Sequence, residues 1–114
     1  MADYEYSFGH LRWQGQSYRK DVIIRGDTVL SPWVREHGHR LKFRDLAEIM
    51  DPPPRILVIG TGQMGVMEVP DKVLSKLAEA GVDGRPMPTD KALEHFVELR
   101  AKGKDVAAAL HLTC

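Results

Sequence analysis

Cysteine is almost missing: the 114 residues hold one, Cys114. An intramolecular disulfide is thereby excluded, and the chain suits a reducing compartment. Net charge is missing as well. Sixteen Lys and Arg balance sixteen Asp and Glu, nine against eight over residues 1–57 and seven against eight after them. Such a chain lacks the basic footprint that nucleic-acid binding needs. No apolar run approaches the roughly 20 residues of a membrane span, so neither nucleic acid nor a membrane is expected as a partner. The start, Met1-Ala2-Asp3-Tyr4-Glu5, is acidic, with no signal h-region and no Arg-rich presequence. A cytoplasmic protein is expected. At 12.8 kDa, the usual scaling leaves about 6,300 Å² exposed of about 18,600 Å² in the extended chain. That is burial enough for one domain, residues 1–114, and too little for two.

What is present divides into two halves. Tyr4, Tyr6, Phe8, Trp13, Tyr18, Trp33 and Phe43 crowd the first 43 residues, and Phe96 alone follows. Tyr4, Tyr6 and Phe8 alternate as in a half-buried strand. Trp13-Gln14-Gly15-Gln16 then offers a turn, giving a hairpin to about Tyr18. Asp21–Ile24 and Thr28–Leu30 flank Gly26-Asp27 as a second strand pair, so residues 1–31 are mostly β. Leu46, Ile49 and Met50 predict a short amphipathic helix, ended by Pro52-Pro53-Pro54. Residues 43–114 then read as that helix followed by β-α-β-α-β. Ile56–Ile59 is a strand covered on both faces. Val66–Val69 is a short strand or an extended loop. Pro70 opens a helix through Val73, Leu74 and Leu77 to about Ala80, capped by Gly81. A weak strand follows over Val82–Met87. Thr89 caps a helix through Ala92, Leu93, Phe96 and Leu99, and Val106–Leu112 is a last buried strand. Strands alternating with helices argue for an α/β sheet with helices on its faces.

Tyr18 with Asp21-Val22, Trp33 with Arg35-Glu36 and Gly38-His39, Leu57–Gly60 with Gly62, Val69-Pro70, Gly81-Val82, Thr89 with Ala92, Leu99, and His111 with Thr113-Cys114 form an ordered pattern over about 95 residues. The pattern resembles the small α/β domain shared by the mitochondrial complex I assembly factor three, the adipogenesis-associated domain protein and many uncharacterised archaeal and bacterial proteins. The resemblance implies a single-domain, three-layer fold with a mixed central sheet, to which the aromatic hairpin would add a layer or an edge. It supplies no mechanism. Many relatives carry Tyr-Asn where this chain has Phe96-Val97, which puts in doubt any pocket built on that asparagine.

Gly60-Thr61-Gly62-Gln63-Met64-Gly65 after a strand is a literal GxGxxG, the pattern that lets backbone donors approach a pyrophosphate. The fingerprint wants a helix opening on its third glycine, however. Here Val66–Val69 intervenes, so a structural turn is the favoured reading. Asp83, near the spacing of a ribose-binding acid, sits in a turn. Arg35, His37, His39, Arg40, Lys42 and Arg44 are the one basic cluster; Glu36 and Asp45 oppose it, and a solvated, partly paired loop is expected. His37 and His39 form an HxH with no CxxC or HExxH frame beside it. No metal and no cofactor are assigned, and His39 reads as a buried hydrogen-bonding post. His111 and Cys114 have the types of a base and a thiol, but no Asn or Asp is evidently placed to orient the histidine. A docked final strand is therefore favoured, and no residue is called catalytic.

A hypothetical ligand cleft collects Trp33, His39, Gly60, Thr61, Gly62, His111, Thr113 and Cys114. The functional expectation is a non-catalytic binding or assembly-type module. A protein partner or a second copy would dock through the aromatic hairpin, since large aromatics are enriched at interfaces. The alternatives are a small-ligand or phosphate-binding enzyme using the Gly60–Gly65 loop, and a redox role for Cys114.

Overall fold

Consecutive apolar side chains in a strand point to opposite faces, so the runs at 22–24, 57–59 and 106–110 each need cover on both sides. A computed structural model, which describes residues 3–114, supplies that cover. The strands are β1 (Tyr4–Ser7), β2 (His10–Trp13), β3 (Gln16–Tyr18), β4 (Val22–Arg25), β5 (Thr28–Leu30), β6 (Ile56–Thr61), β7 (Asp83–Met87) and β8 (Val106–His111). A 3-10 helix spans Phe43–Ile49, and α1 (Asp71–Glu79) and α2 (Thr89–Ala101) follow β6 and β7. The central sheet has the order β5-β4-β8-β6-β7, while β1-β2-β3 forms a separate antiparallel meander. β6 runs parallel to β7 and β8, and β4 runs antiparallel to β8, so the sheet is mixed.

Connectivity decides where the helices lie. The β6-α1-β7 crossover moves outward across the sheet and β7-α2-β8 moves back over β6. Two right-handed crossovers of opposite travel put α1 and α2 on opposite faces. The packing agrees. Val22, Ile24, Val58, Ala108 and Leu110 face α2 and the meander, whereas Ile23, Leu57, Ile59, Ala107 and Ala109 face α1 and the 3-10 helix. The accessible surface, 6261 Å², is what a single compact domain of this mass should expose.

Four local expectations change. β1 stops at Ser7, and Phe8-Gly9 is a turn whose Gly9 N–H donates to the Leu112 carbonyl at 2.8 Å. The meander therefore has three strands where one long hairpin was expected. Its aromatics do not form an outward patch: Trp13 is buried and tilts against Phe96 at 5.6 Å, Tyr4, Tyr6 and Tyr18 are partly buried against that core, and Phe8 is exposed. The meander shares the α2 side of the sheet instead of adding a free edge. The segment around Leu46 is 3-10, and Asp45 turns its carboxylate back onto the Lys42 N–H at 2.8 Å and the Glu36 N–H at 3.2 Å. Thr89 lies inside α2, after Pro88, and its hydroxyl is used elsewhere.

Tyr6 donates its hydroxyl to the Leu112 carbonyl at 2.9 Å. Burial pushes its phenol up to about 12. Between pH 10 and 12 the unfolded chain loses this proton while the folded chain keeps it, so stability should fall as pH rises. Tyr6→Phe is expected to cost about 1 kcal/mol at pH 7 and to flatten that alkaline limb, read from urea midpoints between pH 8 and 12.

Candidate functional site

In open α/β sheets, ligands sit beyond the carboxyl ends of the strands. Here that edge is where β6 and β8 finish together, with Thr61 paired to His111. β6 ends close to α2 because residue 60 is glycine: a Cβ there would lie 2.8 Å from the Thr89 hydroxyl and 2.9 Å from Leu110. Thr89 uses this proximity, donating to the His111 carbonyl at 2.6 Å and accepting from Gly62 N–H at 2.9 Å. Beyond β8, the glycine loop wraps the chain. Gln63 N–H donates to the Thr113 carbonyl at 2.7 Å and Val66 N–H to the Cys114 carbonyl at 3.0 Å. Donors that a phosphate would need are thus occupied by residues 113 and 114. No helix opens on Gly65, since α1 starts at Asp71, and Asp83 pairs with Arg85 at 2.8 Å.

The His111 side chain is buried, 6% exposed, against Asp21, whose Oδ2 lies 2.9 Å from Nδ1. The other Asp21 oxygen accepts the Leu112 N–H at 2.7 Å. Arg35, 4% exposed, brings Nη1 to 2.8 Å from Asp21 Oδ2 without the alignment of a hydrogen bond, and its Nε has no partner among the described residues. Arg35 Nη2 lies 3.0 Å from both the Gly38 carbonyl and His111 Nδ1, and the guanidinium rests on the Trp33 ring at 4.7 Å. Only one proton can occupy Nδ1. With Asp21 Oδ2 facing it, the proton belongs on Nδ1 and is donated to the carboxylate. The lone pair of a neutral ring is then on Nε2. Burial pushes the Asp21 carboxyl up, but hydrogen bonds from His111 and the Leu112 N–H, with the Arg35 guanidinium charge beside it, outweigh it and hold it below the usual aspartate value.

His39 comes from the loop after Trp33. That loop is anchored by Trp33 Nε1 donating to the Asp45 carbonyl at 2.8 Å and by the Glu68 N–H donating to the His39 carbonyl at 2.8 Å. Contrary to the expectation of a buried post, His39 is exposed. Its Nε2 lies 3.3 Å from Cys114 Sγ, and its ring meets that of His111 edge-on at 6.0 Å between centroids. His37 does not join it; its Nε2 is 3.7 Å from Glu36. The basic cluster is paired off: Glu36 holds Lys42 and Arg44, and Glu68 holds Arg40. The bond from Lys42 keeps the Glu36 carboxyl below its ordinary value.

Of the eight candidate positions, His39, His111 and Cys114 converge at their side chains, and Thr113 Oγ1 sits 3.4 Å from His111 Nε2. Gly60 and Gly62 leave room for Thr89 and residues 113–114, Thr61 is buried, and Trp33 lies beneath Arg35. Asp21 and Arg35, the charged pair at the centre, are not among the candidates; Asp21 is signalled in the sequence by the wider pattern alone, and Arg35 by that pattern and the basic cluster.

Conserved hypothetical protein PH1505 from Pyrococcus horikoshii OT3 is similar to this chain, with a TM-score of 0.86 and 24% identity over 100% of this chain and 99% of that one. A protein named MT938 is similar with a TM-score of 0.82 and 27% identity over all of both chains. A Bordetella pertussis protein described as a Mth938-like domain gives 0.71 and 20% over 95% of this chain and 83% of that one. The family described as protein of unknown function (DUF498/DUF598) matches residues 4–111, and the chain belongs to it.

Proposed function

We propose that the chain is a non-catalytic binding module that docks a protein partner through the end of the central sheet at residues 111–114. One observation carries this reading. Among the described residues, the exposed large hydrophobics are Phe8, Val34, Met64 and Val66, and each stands on a segment that meets 111–114. Phe8 precedes Gly9, which bonds Leu112. Val34 precedes Arg35, beside His111. Met64 and Val66 belong to the loop bonded to Thr113 and Cys114. Exposed apolar groups gathered at one end around a polar centre suit an interface. The meander takes part through Phe8 alone, since its other aromatics face the core. A small-ligand or phosphate-binding enzyme using the Gly60–Gly65 loop is less well supported, because the Gln63 and Val66 backbone donors are already bonded. The reading is of a protein in a reducing compartment, where Cys114 stays a thiol. No helix among the described residues is long and apolar enough to cross a membrane.

A photo-crosslinking residue at Met64 tests this, with one at Lys102 as control. Lys102 follows the 13-residue α2, which at 1.5 Å per residue sets it roughly 20 Å from Thr89. The Met64 probe should give one discrete adduct that can be rebuilt from purified components. Adding Phe8→Ser and Val34→Ser should abolish it, while stability changes by no more than about 0.5 kcal/mol for each change. An adduct with a second copy would identify the partner as the chain itself. Equal labelling from Lys102, or an adduct indifferent to both serines, would overturn the reading.

A further inference from the structure

Two residues at the end of the last strand and one from the loop after Trp33 present ligating atoms to the same point. His39, His111 and Cys114 each offer one atom, and all three atoms lie within 4.8 Å of one another. A tetrahedral zinc ion with bonds of about 2.0–2.3 Å needs ligands about 3.5 Å apart. The Cys114 Sγ to His39 Nε2 separation, 3.3 Å, is already that short, and the exposed His39 can adjust to the third atom.

The second observation concerns the buried member. A metal-binding histidine commonly gives its other ring N–H to a carboxylate, which fixes the tautomer and raises ligand basicity. Asp21 does this to His111 Nδ1 at 2.9 Å, while itself tied to Leu112 N–H and Arg35. His111 Nε2 is then left as the acceptor of the ring, with a long contact to the Thr113 hydroxyl at 3.4 Å. The charges suit a cation as well: Arg35 is offset by Asp21, and a Cys114 thiolate would offset half of a divalent ion.

We propose that His39 Nε2, His111 Nε2 and Cys114 Sγ bind one thiophilic divalent cation of the zinc class. The ion takes the place of the proton shared between the thiol and His39, and that proton leaves to solvent. Three protein ligands leave the fourth tetrahedral position open. That position takes water or a donor atom from outside the chain. The proposal does not depend on the docking reading, because it concerns metal and this chain alone.

The test is titration of the reduced chain with cobalt(II), followed by zinc(II) in competition with a chromophoric chelator. One equivalent of cobalt should give a sulfur-to-metal charge-transfer band and the intense visible bands of a tetrahedral site, and zinc should erase both. Cys114→Ser should abolish the charge-transfer band. His39→Ala, an exposed change that leaves the core untouched, should weaken zinc by more than the roughly 10–100-fold that loss of an outer hydrogen bond costs. His37→Ala should change nothing. Three results would each overturn the proposal: no stoichiometric binding by the folded wild-type chain, full affinity in His39→Ala, or equal losses in His37→Ala and His39→Ala. The last would mean chelation by an ordinary surface HxH pair.

Discussion

Truncating Asp21 to alanine is expected to remove about 3–5 kcal/mol of folding stability, the usual cost of stranding one member of a buried ion pair. Among the described residues, Arg35, 4% exposed, would keep its charge with no other ion-pair partner, and its Nε already has no hydrogen-bond partner there. Leu112 N–H and His111 Nδ1–H would lose their acceptor in the same step. Set against the roughly 5–15 kcal/mol total of an ordinary domain, that loss is large. Urea unfolding at pH 7 measures it, with an unchanged denaturant slope showing that the unfolded state is not the cause. The decisive comparison is the double variant Asp21→Ala with Arg35→Met. Methionine can lie on Trp33 as the guanidinium does, and it carries no charge to strand. The double variant should therefore be more stable than Asp21→Ala alone, a coupling that independent sites would not show. If the two variants lose equally, the burden comes from the orphaned N–H groups and not from the guanidinium charge.

The fold was legible wherever its cause is local. Ile56–Ile59 and Val106–Leu110 read as doubly covered strands because consecutive apolar residues leave no solvent face. Pro70 and Gly81 bracket a helix observed at Asp71–Glu79. Local pattern misled where a distant group decides. Phe8 continues the alternation of Tyr4 and Tyr6, but Gly9 is bonded to Leu112, more than a hundred residues on, and the strand turns there. Leu46, Ile49 and Met50 have helical spacing, but the segment is 3-10, and its Asp45 carboxylate reaches back to the N–H groups of Glu36 and Lys42. Thr89 has the type of a cap, yet its hydroxyl serves His111 and Gly62. The site follows the same division. Residue types flagged His111, Cys114 and His39 separately, but their meeting depends on the β6–β8 register and on the wrapped loop. Asp21 and His111 are 90 residues apart, and nothing in the spacing of either announces the pair. The HxH motif even pointed the wrong way, because on a loop His37 turns to Glu36 while His39 turns to Cys114.

Gly62→Val should be about as damaging, for a reason that separates the two accounts of the glycine loop. Gly62 has φ +104°, where a β-branched residue is strained by about 1–3 kcal/mol. A Cβ would also fall against the Cys114 carbonyl carbon, 2.5 Å from the Cys114 oxygen and 2.9 Å from the Thr113 oxygen. Those are backbone atoms and cannot swing aside. Residues 113 and 114 must therefore leave the loop, and the bonds from Gln63 and Val66 to their carbonyls break, at about 1 kcal/mol each. A total near 3–5 kcal/mol should lower the melting midpoint by roughly 15–25 °C in a domain of this size. Gly65→Ala is the control. It also sits at positive φ, +70°, but its Cβ would meet nothing nearer than 3.7 Å. Strain alone should cost it about 1 kcal/mol. A loop built to cradle phosphate would behave otherwise, since its amides would face solvent until a ligand came, and valine at 62 would spoil binding more than folding. A Gly62→Val melting point within a few degrees of Gly65→Ala would therefore show that the loop does not clasp residues 113 and 114. The wide gap expected here would instead mean that the glycines exist to hold Cys114 in place beside His39 and His111.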